Sequence, residues 1–323
     1  MEKDKILITG GAGFIGSQVN LNLNERGYDT IVLDDLSSGN HKTVIRGKLI
    51  QGSIANNDLL NSIFKKESIK AVMHFAAFTH VGESVSSPSK YYHNNVCATL
   101  NLLDAMANHQ INYFIFSSSA AVYGIPTQDK LVETNPCLPI NPYGQTKRMV
   151  ENILHDYHIA YGLNYTSLRY FNAAGGDPRG LIKSFKRKEG NLIPLVLNSI
   201  LDSTTLTING TDYPTKDGTC VRDYVHVADL SEAHILAMEK LFKKGGESCY
   251  NLGNGQGFSI REVIHTTEKV TGHKIITVEG ARRPGDPPTL LADATKAQQE
   301  LGWTPRYPDL PTIIEHAWKA RQY

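Results

Sequence analysis

Short apolar runs alternate, through the first half of the chain, with stretches in which apolar residues recur every three to four positions. "KILIT" (5–9), "TIVLD" (30–34), "KAVMHFA" (70–76), "YFIFSSS" (113–119) and "YTSLRYF" (165–171) read as strands, with "KLIQ" (48–51) a weaker addition. Helices fit between them at about 14–26, 57–67, 88–109 and 143–161. In the last of these, Met149, Val150, Ile153, Leu154 and Tyr157 recur at helical spacing and predict a buried stripe. Such alternation is the pattern of an α/β fold, a doubly wound parallel sheet covered on both faces.

After about residue 172 the texture changes. "NAAGGDPRGLIKSFKRKEGN" carries glycines, a proline and a basic cluster at Lys183, Lys186, Arg187 and Lys188, which predicts a long surface loop with solvated charges. Shorter mixed elements follow, with helical patterns at 228–243, 259–271 and 309–320. The chain of 323 residues is long for one compact core. The expected organisation is therefore a first unit over 1–172 and a smaller α/β lobe over 173–323, with some late strands returning to the first sheet. No flexible linker separates them, so they should pack around a cleft.

Composition narrows the function classes without choosing one. The formal net charge is +1 and no long basic run stands out, which argues against nucleic acid as a partner. No apolar run approaches the roughly 20 residues needed to cross a bilayer. "MEKDKILITGG" enters a strand almost at once and leaves no room for a cleavable signal, so a cytoplasmic protein is expected. Cys97, Cys137, Cys220 and Cys249 are scattered and read as buried reduced thiols. None of the twelve histidines forms a His-Glu-x-x-His pair, and no metal site is indicated. His74 ends an apolar run and reads as a packed strand residue in preference to a base.

Chemistry enters where strand one should pass into helix one. In "ITGGAGFIGS" (8–17), Gly10, Gly13 and Gly16, or Gly11, Gly13 and Gly16, would let backbone approach a pyrophosphate at a helix amino terminus. Strand two ends in Asp34-Asp35, about 20 residues on, where a carboxylate accepts from a ribose and repels a 2′-phosphate. The register after "TIVL" favours Asp34, and NAD is expected over NADP. Further on, "NPYGQTK" (141–147) sets Tyr143 and Lys147 four apart on one helix face. A free tyrosine, with a pKa near 10, is a poor base at neutral pH. An adjacent ammonium and a positively charged nicotinamide would favour the phenolate. "SSSAAVYG" (117–124) brings hydroxyls to the same expected sheet edge, and Ser119 is the candidate to share the proton that Tyr143 removes.

These motifs resemble the extended short-chain dehydrogenase/reductase family. "HFAAFTHVGESV" (74–85), "YYHNNV" (91–96), "LRYFNAAG" (168–175), "DYPTKDGTCVRDYVHVADL" (212–230) and "YNLGNG" (250–255) narrow the resemblance to its UDP-glucose 4-epimerase group, over residues 6 to about 305. The resemblance implies retained NAD, a UDP-sugar substrate, a transient 4-keto sugar that turns before the hydride returns, and a homodimer paired through the helices near 88–109 and 143–161. It implies cofactor contacts from Phe14, Ile15, Phe75, Ala76, Ala77, Asn94 and Phe171. On the substrate side it implies Asn172, Asn191, the Leu192 backbone, Arg222 and Arg283 near the diphosphate, with Asp286 on the uridine ribose.

Some positions depart from the group. Ser53-Ile54 stands at the adenine side where an aspartate usually precedes the apolar residue, Thr79 replaces a frequent lysine, and Thr207-Ile208-Asn209 replaces a more apolar uracil-side segment. Leu290, intermediate in size, sits where side-chain volume sets room at the sugar 2-position. Epimerases of UDP-N-acetylglucosamine, UDP-glucuronate or a UDP-pentose, and a non-catalytic NAD-binding sensor, are the alternatives. A 4,6-dehydratase would need an Asp-Glu pair where Ala120-Ala121 stands.

Overall fold

The computed structural model describes residues 4–126, 128–184, 190–283 and 285–321. Its first part runs β1 (Lys5–Thr9), α1 (Phe14–Glu25), β2 (Asp29–Asp34), β3 (Lys48–Gln51), α2 (Asn57–Lys66), β4 (Ile69–His74), α3 (Val81–Ser86), α4 (Pro88–Tyr92), α5 (Ala98–Asn108), β5 (Tyr113–Ser119), α6 (Pro142–Tyr161) and β6 (Asn164–Tyr170). Then follow β7 (Asn172–Ala174), α7 (Leu192–Leu201), β8 (Leu206–Asn209), β9 (Val221–His226), α8 (Val227–Lys244) and β10 (Glu247–Leu252). The chain closes with β11 (Gly257–Ser259), α9 (Ile260–Thr271), β12 (Thr277–Gly280), β13 (Thr289–Leu290), α10 (Thr295–Leu301) and α11 (Leu310–Lys319).

Seven strands form one parallel sheet in the order β10-β6-β5-β4-β1-β2-β3. Residue alternation along each strand sorts the apolar side chains onto two faces. Ile6, Ile8, Val32, Met73 and Ile115 pack with α1 and α8 on one side. Leu7, Ile31, Leu33, Val72, Phe114 and Phe116 pack on the other, with Leu60, Leu102, Val150 and Leu154 from α2, α5 and α6. Val150 and Leu154 of the expected α6 stripe are buried, and Met149, Ile153 and Tyr157 pack partly covered against them. A buried aliphatic side chain of this kind contributes about 1.5–3 kcal/mol relative to exposure. Strand order reverses between β1 and β4, and the crevice at their carboxyl ends is where an open α/β sheet binds ligands.

The remaining strands build smaller sheets. β9 lies at the centre of one, paired with β7, β11 and β13, and β8 pairs with β12. Helices α7, α9 and α11 cover them through Ile193, Val196, Val263 and Ile313. Although β10 follows this lobe in sequence, it pairs along its whole length with β6, from Glu247 opposite Tyr165 to Leu252 opposite Tyr170. No helix among the described residues is long and apolar enough to cross a membrane.

Two expectations need correction. The single helix anticipated over 88–109 is interrupted by a π-helical turn at His93–Cys97. The wider turn serves Asn95, whose buried amide accepts from Phe78 N at 2.9 Å, donates to Phe78 O at 3.0 Å and donates to Thr146 Oγ1 at 3.1 Å. The cysteines are free, but only Cys220 is buried, and Cys97, turned outward on that same segment, is exposed. Of the basic cluster in the loop before α7, Lys186, Arg187 and Lys188 lie outside the described residues.

Candidate active site

The turn between β1 and α1 is shaped by what a side chain would strike. Gly10 has φ +71°, and a Cβ there would lie 2.5 Å from Ala76 N, so the loop presses on the end of β4. At Gly16 a Cβ would lie 2.5 Å from Gly10 O, so the first turn of α1 folds directly onto the loop. Gly13 caps α1 without a side-chain hydrogen bond, leaving Phe14, Ile15 and Gly16 as the first turn of a helix whose positive dipole end faces the crevice. Beside the loop, Gly13, Phe14, Gly39 and Asn40 line a cavity.

Asp34 ends β2 nearly buried, accepting from Ala12 N at 2.9 Å and Leu36 N at 2.8 Å. Burial pushes its carboxyl pKa upward against these two hydrogen bonds. Each oxygen keeps a lone pair for a diol. Asp35 is exposed and accepts from Ser37 N at 2.9 Å. A close-approach glycine loop, an open helix end and a carboxylate at the next strand end together suit a dinucleotide. Phe75, Ala76 and Ala77 follow β4 at the switch point, with the Phe75 ring 4.8 Å from that of His234. Asn94 lies in the π-helical turn and donates to Asn95 Oδ1 at 2.9 Å. Ile54 is buried in the sheet core, Ser53 Oγ accepts from Ala55 N at 3.1 Å, and Thr79 is exposed.

Helix α6 starts cleanly, with Asn141 Oδ1 accepting from Gly144 N at 2.9 Å and Pro142 in the first turn. A Cβ on Gly144 would lie 2.4 Å from Ala121 O, so α6 abuts the short 3-10 turn Ala120–Val122 that follows Ser119. That contact brings Ser119, whose Oγ accepts from Ala121 N at 3.2 Å, beside Tyr143. Lys147, also buried, donates from Nζ to Ser117 O at 2.7 Å and lies 6.0 Å from the centre of the Tyr143 ring. Ser117 Oγ contacts Tyr170 OH, and Ser118 Oγ donates to Glu151 at 2.7 Å, which leaves Ser119 as the serine at Tyr143.

Electrostatically the protein works against both charges. Burial pushes the Tyr143 phenol above its ordinary value, opposed by the Ser119 hydrogen bond. Burial likewise lowers Lys147 to about 7, opposed by Glu151. The lowering of the phenol expected from Lys147 together with a cationic nicotinamide is opposed by this desolvation. His74 is no base: it sits between Thr9 Oγ1 at 2.7 Å and Thr99 Oγ1 at 3.0 Å, and burial holds it neutral with a pKa of about 3.

The second lobe closes the site. Asn172 Nδ2 donates to Asp223 O at 3.0 Å, next to Phe171, which packs with Ala120, Val122 and Tyr123. Leu290 covers that same cluster and pairs in register with Arg222. Arg222 donates to Pro287 O at 2.8 Å and meets Asp286 at 3.1 Å. With its amide oxygen toward Arg283, Asn209 accepts from Nη2 and Nε at 3.1 Å each. A Cβ on Gly285 would lie 3.0 Å from Ile140 Cδ1, so Gly285 reaches the entry to α6. Asn191 caps α7 ahead of Leu192, and Thr207 is exposed on β8. Sequence reasoning missed Asn95, Glu151 and Arg169; for Glu151, its place four residues after Lys147 on the same helix face was the available signal.

The model of the NAD dependent epimerase/dehydratase family matches residues 6–253. The UDP-glucose 4-epimerase of Halalkalibacterium halodurans is 49% identical over 314 residues, 97% of this chain and 94% of that protein. The crystal structure of UDP-glucose 4-epimerase from Brucella ovis in complex with NAD is similar with a TM-score of 0.95 at 45% identity, covering 98% of this chain and 97% of that one. The enzyme of Bifidobacterium longum in complex with NAD+ and UDP is similar with a TM-score of 0.92 at 37% identity, covering 98% and 97%.

Proposed function

The chain belongs to the NAD dependent epimerase/dehydratase family, and from that premise we propose that it interconverts UDP-glucose and UDP-galactose by reversible oxidation at the sugar C4. The observation that carries this is the meeting of Ser119, Tyr143 and Lys147 beside the crevice that the glycine loop and Asp34 make suitable for NAD. Gly10, Gly13 and Gly16 admit the pyrophosphate to the α1 amino terminus, and Asp34 takes the adenosine ribose. Bound NAD supplies a hydride acceptor that afterwards returns the hydride. Tyr143, as phenolate, takes the proton of the C4 hydroxyl while Ser119 hydrogen-bonds the same oxygen, and Tyr143 gives the proton back to that oxygen once the 4-keto sugar has turned to present its other face for reduction. Lys147 stabilises the phenolate and holds the cofactor ribose.

Arg222 and Arg283 suit the diphosphate because guanidinium forks match its oxygens, and Asp286 suits a ribose diol. Asn172, Asn191 and the Leu192 backbone complete this grip. Firm binding there with few ties to the sugar lets the ketone rotate without escaping. Residues 1–172 accordingly serve NAD and 173–323 the nucleotide sugar, with α8 and β10 completing the first unit. A homodimer pairing α5 and α6 with their copies fits the exposed Ile159 and Tyr161 on α6; sedimentation at the monomer mass would refute it. Incubation of the purified protein with UDP-galactose should yield UDP-glucose. Bound NAD with no sugar product would instead identify a sensor.

A further inference from the structure

The three serines that end β5 each engage a different turn of α6. Ser119 meets Tyr143, the Ser117 carbonyl accepts from Lys147 at 2.7 Å, and the Ser118 hydroxyl donates to Glu151 Oε1 at 2.7 Å. Tyr143, Lys147 and Glu151 are spaced four apart, so one helix face presents all three. From β6, Arg169 grips the same carboxylate through both oxygens, Nε to Oε1 at 2.8 Å and Nη2 to Oε2 at 2.7 Å. Ser118 and Arg169 are register partners across β5 and β6, so Glu151 descends onto a polar row prepared for it. Ser118, Glu151 and Arg169 are 0%, 6% and 5% exposed, more than nine-tenths buried in each case.

A buried ion pair is a poor route to stability, since apolar residues of similar volume often do as well. Its place one turn beyond Lys147 points to the chemistry. Of the other titratable groups packed around Tyr143 and Lys147, His74 from β4 is neutral, and burial pushes Tyr91 of α4 and Tyr170 of β6 upward; Tyr91 in turn donates to Glu83 of α3 at 2.9 Å, a carboxylate that Lys90 of α4 meets at 3.0 Å. Arg148 meets Glu151 Oε2 from the outer side at 3.2 Å. Arg148 and Arg169 fix the carboxylate beside the turn that carries Lys147.

We propose that Glu151, clamped by Ser118 and Arg169, is a positioning residue that holds Lys147 as an ammonium against the Ser117 carbonyl and thereby keeps Tyr143 available as a proton acceptor. This rests on the reading of Tyr143 as the acid–base residue.

The test follows the phenol directly. In the NAD-loaded enzyme, the ultraviolet absorbance of the Tyr143 phenolate is titrated against pH with Tyr143→Phe as the blank. Glu151→Gln should raise the midpoint by about one pH unit, equivalent to roughly tenfold less phenolate at a given pH below it. The kcat at neutral pH should fall by a similar factor while KM for UDP-galactose changes little. Glu151→Asp should bring the midpoint back toward that of the parent. Because glutamine leaves Arg169 without a counter-charge, Glu151→Met with Arg169→Leu removes both, and a smaller rise in the same direction is expected. An unshifted midpoint in either folded variant overturns the proposal. The titration needs no sugar, so a parent enzyme that shows these shifts yet converts no UDP-sugar would refute the functional reading alone.

Discussion

Tyr143 and Lys147 both sit where desolvation disfavours the charge their chemistry requires. The low dielectric that imposes this cost also strengthens every favourable charge brought close, so a cationic cofactor ring acts on the phenol far more strongly here than it would in water. Tyr143→Phe keeps the ring, and its packing with it, while removing the proton acceptor. Turnover should fall by about 10²–10⁴-fold, while the nucleotide released on denaturation shows NAD still bound. Parent-like turnover in that variant would end the assignment of Tyr143 as the base. At this scale the sequence was informative where spacing carries geometry, as from Tyr143 to Lys147. It was silent on Arg169, because a cross-strand partner such as Ser118 is a property of register and not of local pattern.

Among the elements, the β1–α1 turn depends on backbone contact more than on any side chain. Alanine at Gly16 places a methyl group 2.5 Å from Gly10 O and 2.8 Å from Gly11 Cα, so the helix start must move away from the loop. NAD affinity should weaken by at least about tenfold, or roughly 1.4 kcal/mol, as measured by calorimetric titration; an unchanged Kd would exclude the loop from the cofactor site. Strands with continuous apolar runs were legible because burial on both faces needs them. The π-helical turn at His93–Cys97 was not, since its cause is the distant Phe78 backbone that Asn95 satisfies, and the periodicity around it remains helical.

In the whole molecule, the alternating pattern before residue 172 foretold the parallel sheet, but nothing local in "ESCYNL" marks β10 as its outermost strand beside β6. The chain passes from β6 to β7, comes back at the β9–α8 junction, departs after β10 for β11, and returns again when α10 packs on α8 and β10. At one of these passages His226 caps α8, accepting from Ala228 N at 3.0 Å, and its other ring nitrogen meets His316 Nδ1 of α11 at 3.1 Å. A clamshell joined by a single strap can swing freely; two halves laced together by repeated stitches resist bending at every stitch. Opening the two halves against each other would break contacts at every one of these passages, so the turning that the proposed reaction needs is assigned to the lightest part, the oxidised sugar.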